Sequence, residues 1–108
     1  MVSLSVLYPA SSGSIFDWDY YLGPHQALAK TLLEPRGLLR TEISRGVGGF
    51  PPGAVAPYYA IAHLYFPTMQ KLQNALGETS AELIADERKY YSGESVVQIN
   101  EMIGEPCG

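Results

Sequence analysis

Two side chains four residues apart, Tyr21 and His25, carry the strongest hint of chemistry in this chain. An imidazole with an unperturbed pKa of about 6.5 exchanges its proton near neutrality, and a phenol hydroxyl can donate to a ligand or orient it. Both belong to the stretch FDWDYYLGPHQALAKTLLEP at residues 16–35, which also contains Tyr20 and the only tryptophan, Trp18. On a helical wheel Tyr21, His25, Leu28 and Leu32 share one face, and the two leucines argue that this face is buried. A buried tyrosine and histidine are either core groups with hydrogen bonds to find or the wall of a pocket. Pro24 lacks an N–H and its ring crowds the carbonyl of Tyr20. The helix is therefore expected to kink or restart at Gly23-Pro24, with His25 in the first turn of a second segment.

Other chemical patterns are weak. His25 and His63 have no cysteine or carboxylate at ligand spacing beside them, so no metal site is expected. The GVGG run does not lead from a strand into a helix, which makes turn geometry a better account of its glycines than phosphate binding. There is no Gly-x-Ser-x-Gly elbow, and the single Cys107 lies in a Gly/Pro-flanked tail. His63, in the middle of a strand pattern, reads as a packing histidine or a ligand contact. The pairs Tyr58-Tyr59 and Tyr90-Tyr91 read as core or interface, and the run from Asp86 to Lys89 as a solvated helix face.

The elements that must position these groups follow from periodicity. Val2, Leu4, Val6 and Tyr8 alternate with smaller residues in a first strand, and Asp17 or Ser14 can cap the helix that follows. A second strand covers residues 38–45. Residues 46–57 (GVGGFPPGAVAP) form a long loop of the kind that is functional or mobile. Residues 58–66 alternate Ala60, Ala62, Leu64 and Phe66 with Tyr59, Ile61, His63 and Tyr65. Pro67 opens a second helix carrying Met69, Leu72 and Leu76, and a short third helix starts at Thr79 with Glu82 in capping-box position. A last strand spans residues 94–102. The order β-α-β-β-α-(α)-β is a ferredoxin-like α+β arrangement with an antiparallel sheet and helices on one face. The opposite face, with Tyr59, Ile61, His63 and Tyr65, looks too apolar to stand in water, so a second subunit packing sheet to sheet is expected.

The 108 residues fit one domain, and a net charge of −4 discourages binding to nucleic acid or an anionic membrane. RNA-recognition domains share this element order, but the acidic balance and the lack of a Gly-aromatic run on the third strand argue against that class. One cysteine and no signal-like or membrane-spanning run suggest a cytoplasmic protein.

The segments FDWDYYLGPHQALAK, GVGG, PYYAIAHLYF and VVQINEM together resemble the EthD family (ethyl tert-butyl ether degradation type) over nearly the whole chain. The spacing Phe16-x-x-x-Tyr20-Tyr21-x-x-x-His25 and the strand at 58–66 carry most of the likeness. The resemblance implies a single domain, residues 1–108, whose sheet pairs with that of its mate into a dimeric α/β barrel. It also implies a small, mostly apolar organic ligand between sheet and helices. His25 and Tyr21 would be the catalytic pair, and Trp18, Tyr20, His63 and Tyr65 the ligand contacts. No cofactor is implied: the chain would be either a proton-transfer enzyme of a degradation or secondary pathway or a non-catalytic carrier. After the histidine the family commonly has Met-Pro, whereas this chain has Gln26-Ala27.

Overall fold

The computed structural model describes residues 1–104, so Cys107 lies outside the described residues. Strand β1 (Val2–Pro9) is central in a four-stranded sheet of order β2-β3-β1-β4, with β2 at Arg40–Arg45, β3 at Tyr58–Phe66 and β4 at Val96–Glu101. Every neighbouring pair is antiparallel, with Leu4 opposite Leu64 on one side and Ile99 on the other. The helices lie over the face that carries Val2, Leu4, Phe66 and Ala60, and the fold is the ferredoxin-like α+β arrangement expected from the order of elements.

The first helical stretch does not break at the proline. It runs from α1 (Trp18–Tyr20) through a π turn (Tyr21–His25) directly into α2 (Gln26–Leu33), with Pro24 inside the turn. Widening to π geometry accommodates a residue that has no N–H to give and a ring that needs room. The extra residue shifts the phase of everything downstream. The buried face reads Tyr21, His25 and Leu33, with Ala29 and Leu32 packed beside it, rather than Tyr21, His25, Leu28 and Leu32. Asp17 caps the start by accepting from the Tyr20 N–H at 3.1 Å. Gly37, at φ 108°, takes the left-handed position that ends the stretch.

The two helices expected after β3 are one, α3 (Met69–Glu87), capped by Thr68. Thr79 does not start a helix; its hydroxyl donates to the Ala75 carbonyl one turn back, at 2.7 Å, and it is buried. Continuity comes from packing: Leu72, Ala75, Thr79 and Asp86 are all buried on the sheet side, spaced by whole turns.

Two cores result. One is aliphatic (Val2, Leu4, Leu33, Phe66, Leu72, Ala75), and the other is built around Tyr8, Tyr21, Ala60, Tyr90 and Tyr91. Phe16 ties the second together, with ring centroids 5.0 Å from Tyr21 and 5.5 Å from Tyr90.

The opposite sheet face is more polar than strand β3 alone suggests, which corrects the expectation of an apolar surface. Ser5 Oγ lies 2.8 Å from His63 Nδ1, and Asn100 donates to Ser5 and Ser3 at 2.8 and 3.0 Å. Tyr65 donates to Glu42 at 2.8 Å beneath the Arg40 guanidinium. Tyr59 turns away to stack on Phe16. Residues 46–57 fold back on themselves, Gly49 N–H donating to the Ala54 carbonyl at 2.9 Å, and leave Val47, Phe50 and Val55 exposed.

The unbroken α3 makes a sharp test at Gly77, which lies mid-helix with open space where a Cβ would go. Gly77→Ala should stabilise the protein by about 0.5–1 kcal/mol, read as a melting midpoint several degrees higher. A drop would mean that the helix ends there.

Candidate functional site

A cavity of about 420 Å³ separates the aliphatic core from the aromatic one. Leu4, Val6, Ala62 and Leu64 form its floor, Leu76 and Leu83 of α3 part of its wall, and Tyr8, Tyr21, His25 and Tyr90 its polar end. The shape follows from the register. The π turn brings Tyr21 and His25 inward together, α3 presents Leu76, Leu83 and Glu87 at spacings of seven and four, and Tyr90 follows where the helix ends.

At the polar end a hydrogen-bonded line crosses the molecule. His25 Nδ1 lies 2.8 Å from Asp86 Oδ2, both residues being more than nine-tenths buried. Tyr20 donates to the other Asp86 oxygen at 2.8 Å, and Lys89 stands 3.7 Å from it. An ionised carboxylate only accepts, so Nδ1 carries the proton and Nε2 presents its lone pair. That lone pair faces the Tyr90 hydroxyl at 3.3 Å, and Tyr90 in turn meets the Tyr8 hydroxyl at 2.7 Å. The Tyr90–His25 contact is long for such a bond, which leaves Nε2 open to a competing ligand group.

The electrostatics agree with this polarity. Burial pushes the Asp86 carboxyl upward, but the hydrogen bonds from His25 and Tyr20, with the His25 and Lys89 charges, outweigh it and hold the group below its ordinary value. Burial raises the Tyr21 phenol to about 12, and burial above all holds Tyr90 well above the tyrosine range, so both hydroxyls keep their protons at neutral pH. Tyr21 Oη is buried without a hydrogen-bond partner while its residue lines the cavity. A buried hydroxyl left so is a donor in want of an acceptor.

Of the residues singled out in the sequence, Tyr21 and His25 meet in the cavity wall. Tyr20 stands behind it, holding Asp86. Trp18 packs on Phe16 beneath the Arg45 guanidinium, outside the wall. His63 and Tyr65 are on the other face of the sheet, in the network with Ser5 and Glu42. Asp86 and Tyr90 were missed. Asp86 was hidden inside a charged run, although it extends the spacing of Leu72, Ala75 and Thr79, and Tyr90 lies one turn further on. Among the described residues, no group of three or more His, Cys, Asp or Glu could hold a metal ion. No helix there is long and apolar enough to cross a membrane.

Comparison with known proteins follows the same outline. A family model described as the EthD domain matches residues 16–94. An EthD-like protein from Ralstonia eutropha JMP134 is 25% identical and superposes with a TM-score of 0.87 over 96% of this chain and 93% of its own. An ethyl tert-butyl ether degradation family protein from Bacillus halodurans C-125 is 22% identical, with a TM-score of 0.73 over 95% and 99%. SnoaB, a cofactor-independent oxygenase from Streptomyces nogalater, shares the fold at 9% identity, with a TM-score of 0.64 over 97% of this chain and 95% of its own. No curated protein matches the chain.

The Asp86 carboxylate sets a pH dependence whose sign is determined. Its folded pKa is depressed, so its contribution to stability is present above the unfolded value of 3.8 and disappears as pH falls through the folded one. Urea midpoints measured between about pH 2 and 5 should fall steeply in the parent protein and less steeply in Asp86→Asn.

Proposed function

This chain belongs to the EthD family, and on that premise we propose that it binds a small, mostly apolar organic molecule in the cavity between sheet and helices and moves a proton on it without a cofactor. The observation that carries the reading is the Asp86–His25 pair at the polar end of an otherwise apolar cavity. With Nδ1–H held by the carboxylate, His25 Nε2 accepts a proton from the ligand, and the imidazolium so formed is stabilised by Asp86. The unpartnered Tyr21 hydroxyl donates to an acceptor oxygen of the same ligand. Tyr90 is placed to pass a proton between ligand and Nε2, and Tyr8 supports it from behind. Trp18 and Tyr20 act at one remove, Trp18 by bracing Phe16 and Tyr20 by fixing Asp86. The fold neighbour described as a cofactor-independent oxygenase fits a scaffold whose chemistry comes from side chains alone. The setting would be an oxidative degradation or secondary pathway in the cytoplasm.

Mass spectrometry of compounds retained through gentle purification supplies the ligand. Incubated in deuterium oxide, the parent protein should then incorporate solvent deuterium into it. His25→Gln keeps a donor for Asp86 but no base, and should lower that rate by about 10²–10⁴-fold with only a modest change in melting midpoint. Saturable binding with no exchange in the parent protein would make the same cavity that of a carrier.

The homodimer belongs to the same proposal. The polar sheet face bearing His63 and Tyr65, bordered by the exposed Val96 of β4, would meet its counterpart in a second copy. Light scattering after size exclusion should give twice the 11.8 kDa chain mass, and a monomer at micromolar concentration would remove the shared barrel.

A further inference from the structure

Among the described residues Glu87 is the only carboxylate in the cavity wall, and no lysine or arginine lines it. Glu87 sits one residue past Asp86 on α3, with one carboxylate oxygen accepting from Ser95 at 2.9 Å and the other from Arg88 at 3.0 Å. These contacts hold the group in place and leave lone pairs to spare, since a carboxylate offers about four acceptor sites. The Arg88 guanidinium is half exposed and also donates to the Gly93 carbonyl at 2.7 Å, so its charge is shared with solvent and backbone. Ser80 of α3 and Ser95, just before β4, are polar wall residues too, and both are neutral. After burial, the Glu87 charge is among the causes that keep the Tyr21 and Tyr90 phenols protonated, which places it in electrostatic reach of the polar end.

From this we infer that Glu87 sets the charge class of the ligand: the cavity takes neutral molecules carrying a hydroxyl donor and rejects carboxylates. The inference rests on the proposal that the cavity binds a small organic molecule, and it narrows that proposal. An anionic ligand would lie in a mostly apolar enclosure beside a fixed negative charge, with no lysine or arginine in the wall and with any charge on His25 already matched by Asp86. A neutral hydroxyl would instead donate to Glu87 while an acceptor atom elsewhere on the ligand took the Tyr21 hydroxyl. The two wall groups thus recognise opposite hydrogen-bonding ends of one molecule.

The test uses two probes with the same ring system, 2-naphthol and 2-naphthoate, titrated against the full chain at neutral pH and read by probe fluorescence. The parent protein should bind 2-naphthol at least about tenfold tighter than 2-naphthoate. Glu87→Gln should shrink that ratio severalfold, chiefly by tightening 2-naphthoate. Arg88→Gln, a surface change that leaves Glu87 less compensated, should widen the ratio about two- to threefold and covers the case in which Glu87→Gln fails to fold. If both probes bind and neither variant moves the ratio, the charge selection is wrong while the binding cavity stands. If neither probe binds the parent protein, the binding reading falls and the selection falls with it.

Discussion

The bond between His25 and Asp86 is the contact on which the site depends, because it joins two helices at their least regular points. One partner closes a π turn and the other sits in the final turn of α3. Taking a carboxylate out of water is expensive, and here two donors meet it, from His25 and Tyr20, with the Lys89 ammonium 3.7 Å away. Once Asp86 is satisfied in this way, the imidazole orientation is no longer free. Tyr90 and Tyr8 line up behind Nε2, and the aromatic core closes around them. The cavity is the space left between that rigid polar end and the aliphatic core on the other side of it.

Much of the fold was legible because strands announce themselves locally. The run at 58–66 alternates so cleanly that its limits coincide with β3, and the ferredoxin-like order follows once the helices are placed between strands. The helices were harder, and for one reason. Both Pro24 and Gly77 are breakers by intrinsic propensity, yet packing of the faces on either side carries the helix through each. Running the wheel at α pitch across Pro24 put Leu28 on the buried face in place of Leu33. Starting a new helix at Thr79 hid the stripe that runs from Leu72 through Thr79 to Asp86, so a buried acid passed for part of a solvated run.

The sheet's outer face shows a different limit. Viewed along β3 alone, Ile61, His63 and Tyr65 look apolar. Side chains from β1, β4 and β2 supply Ser5, Asn100 and Glu42 as partners. Cross-strand pairing is decided by register between segments far apart in the chain, up to 97 residues for Asn100 and Ser3. No local pattern contains that information. Tyr21 and His25, by contrast, are four apart on one turn, and their convergence could be read from spacing.

The π turn has a further consequence, for length rather than chemistry. It seats one residue more than the α turn it replaces, and that surplus lies among Leu22, Gly23 and Pro24, all on the solvent side. Removing any one of the three would let the backbone relax to ordinary helix without disturbing a buried contact directly. Because the π turn takes up its surplus residue within a single turn, the helix on either side would keep its orientation, and Tyr21 and Leu33 would both still face the sheet. The surplus residue is therefore a local swelling of the helix on its solvent side. Its effect stays within the turn that ends at His25, while the segments before and after it run on as one rod.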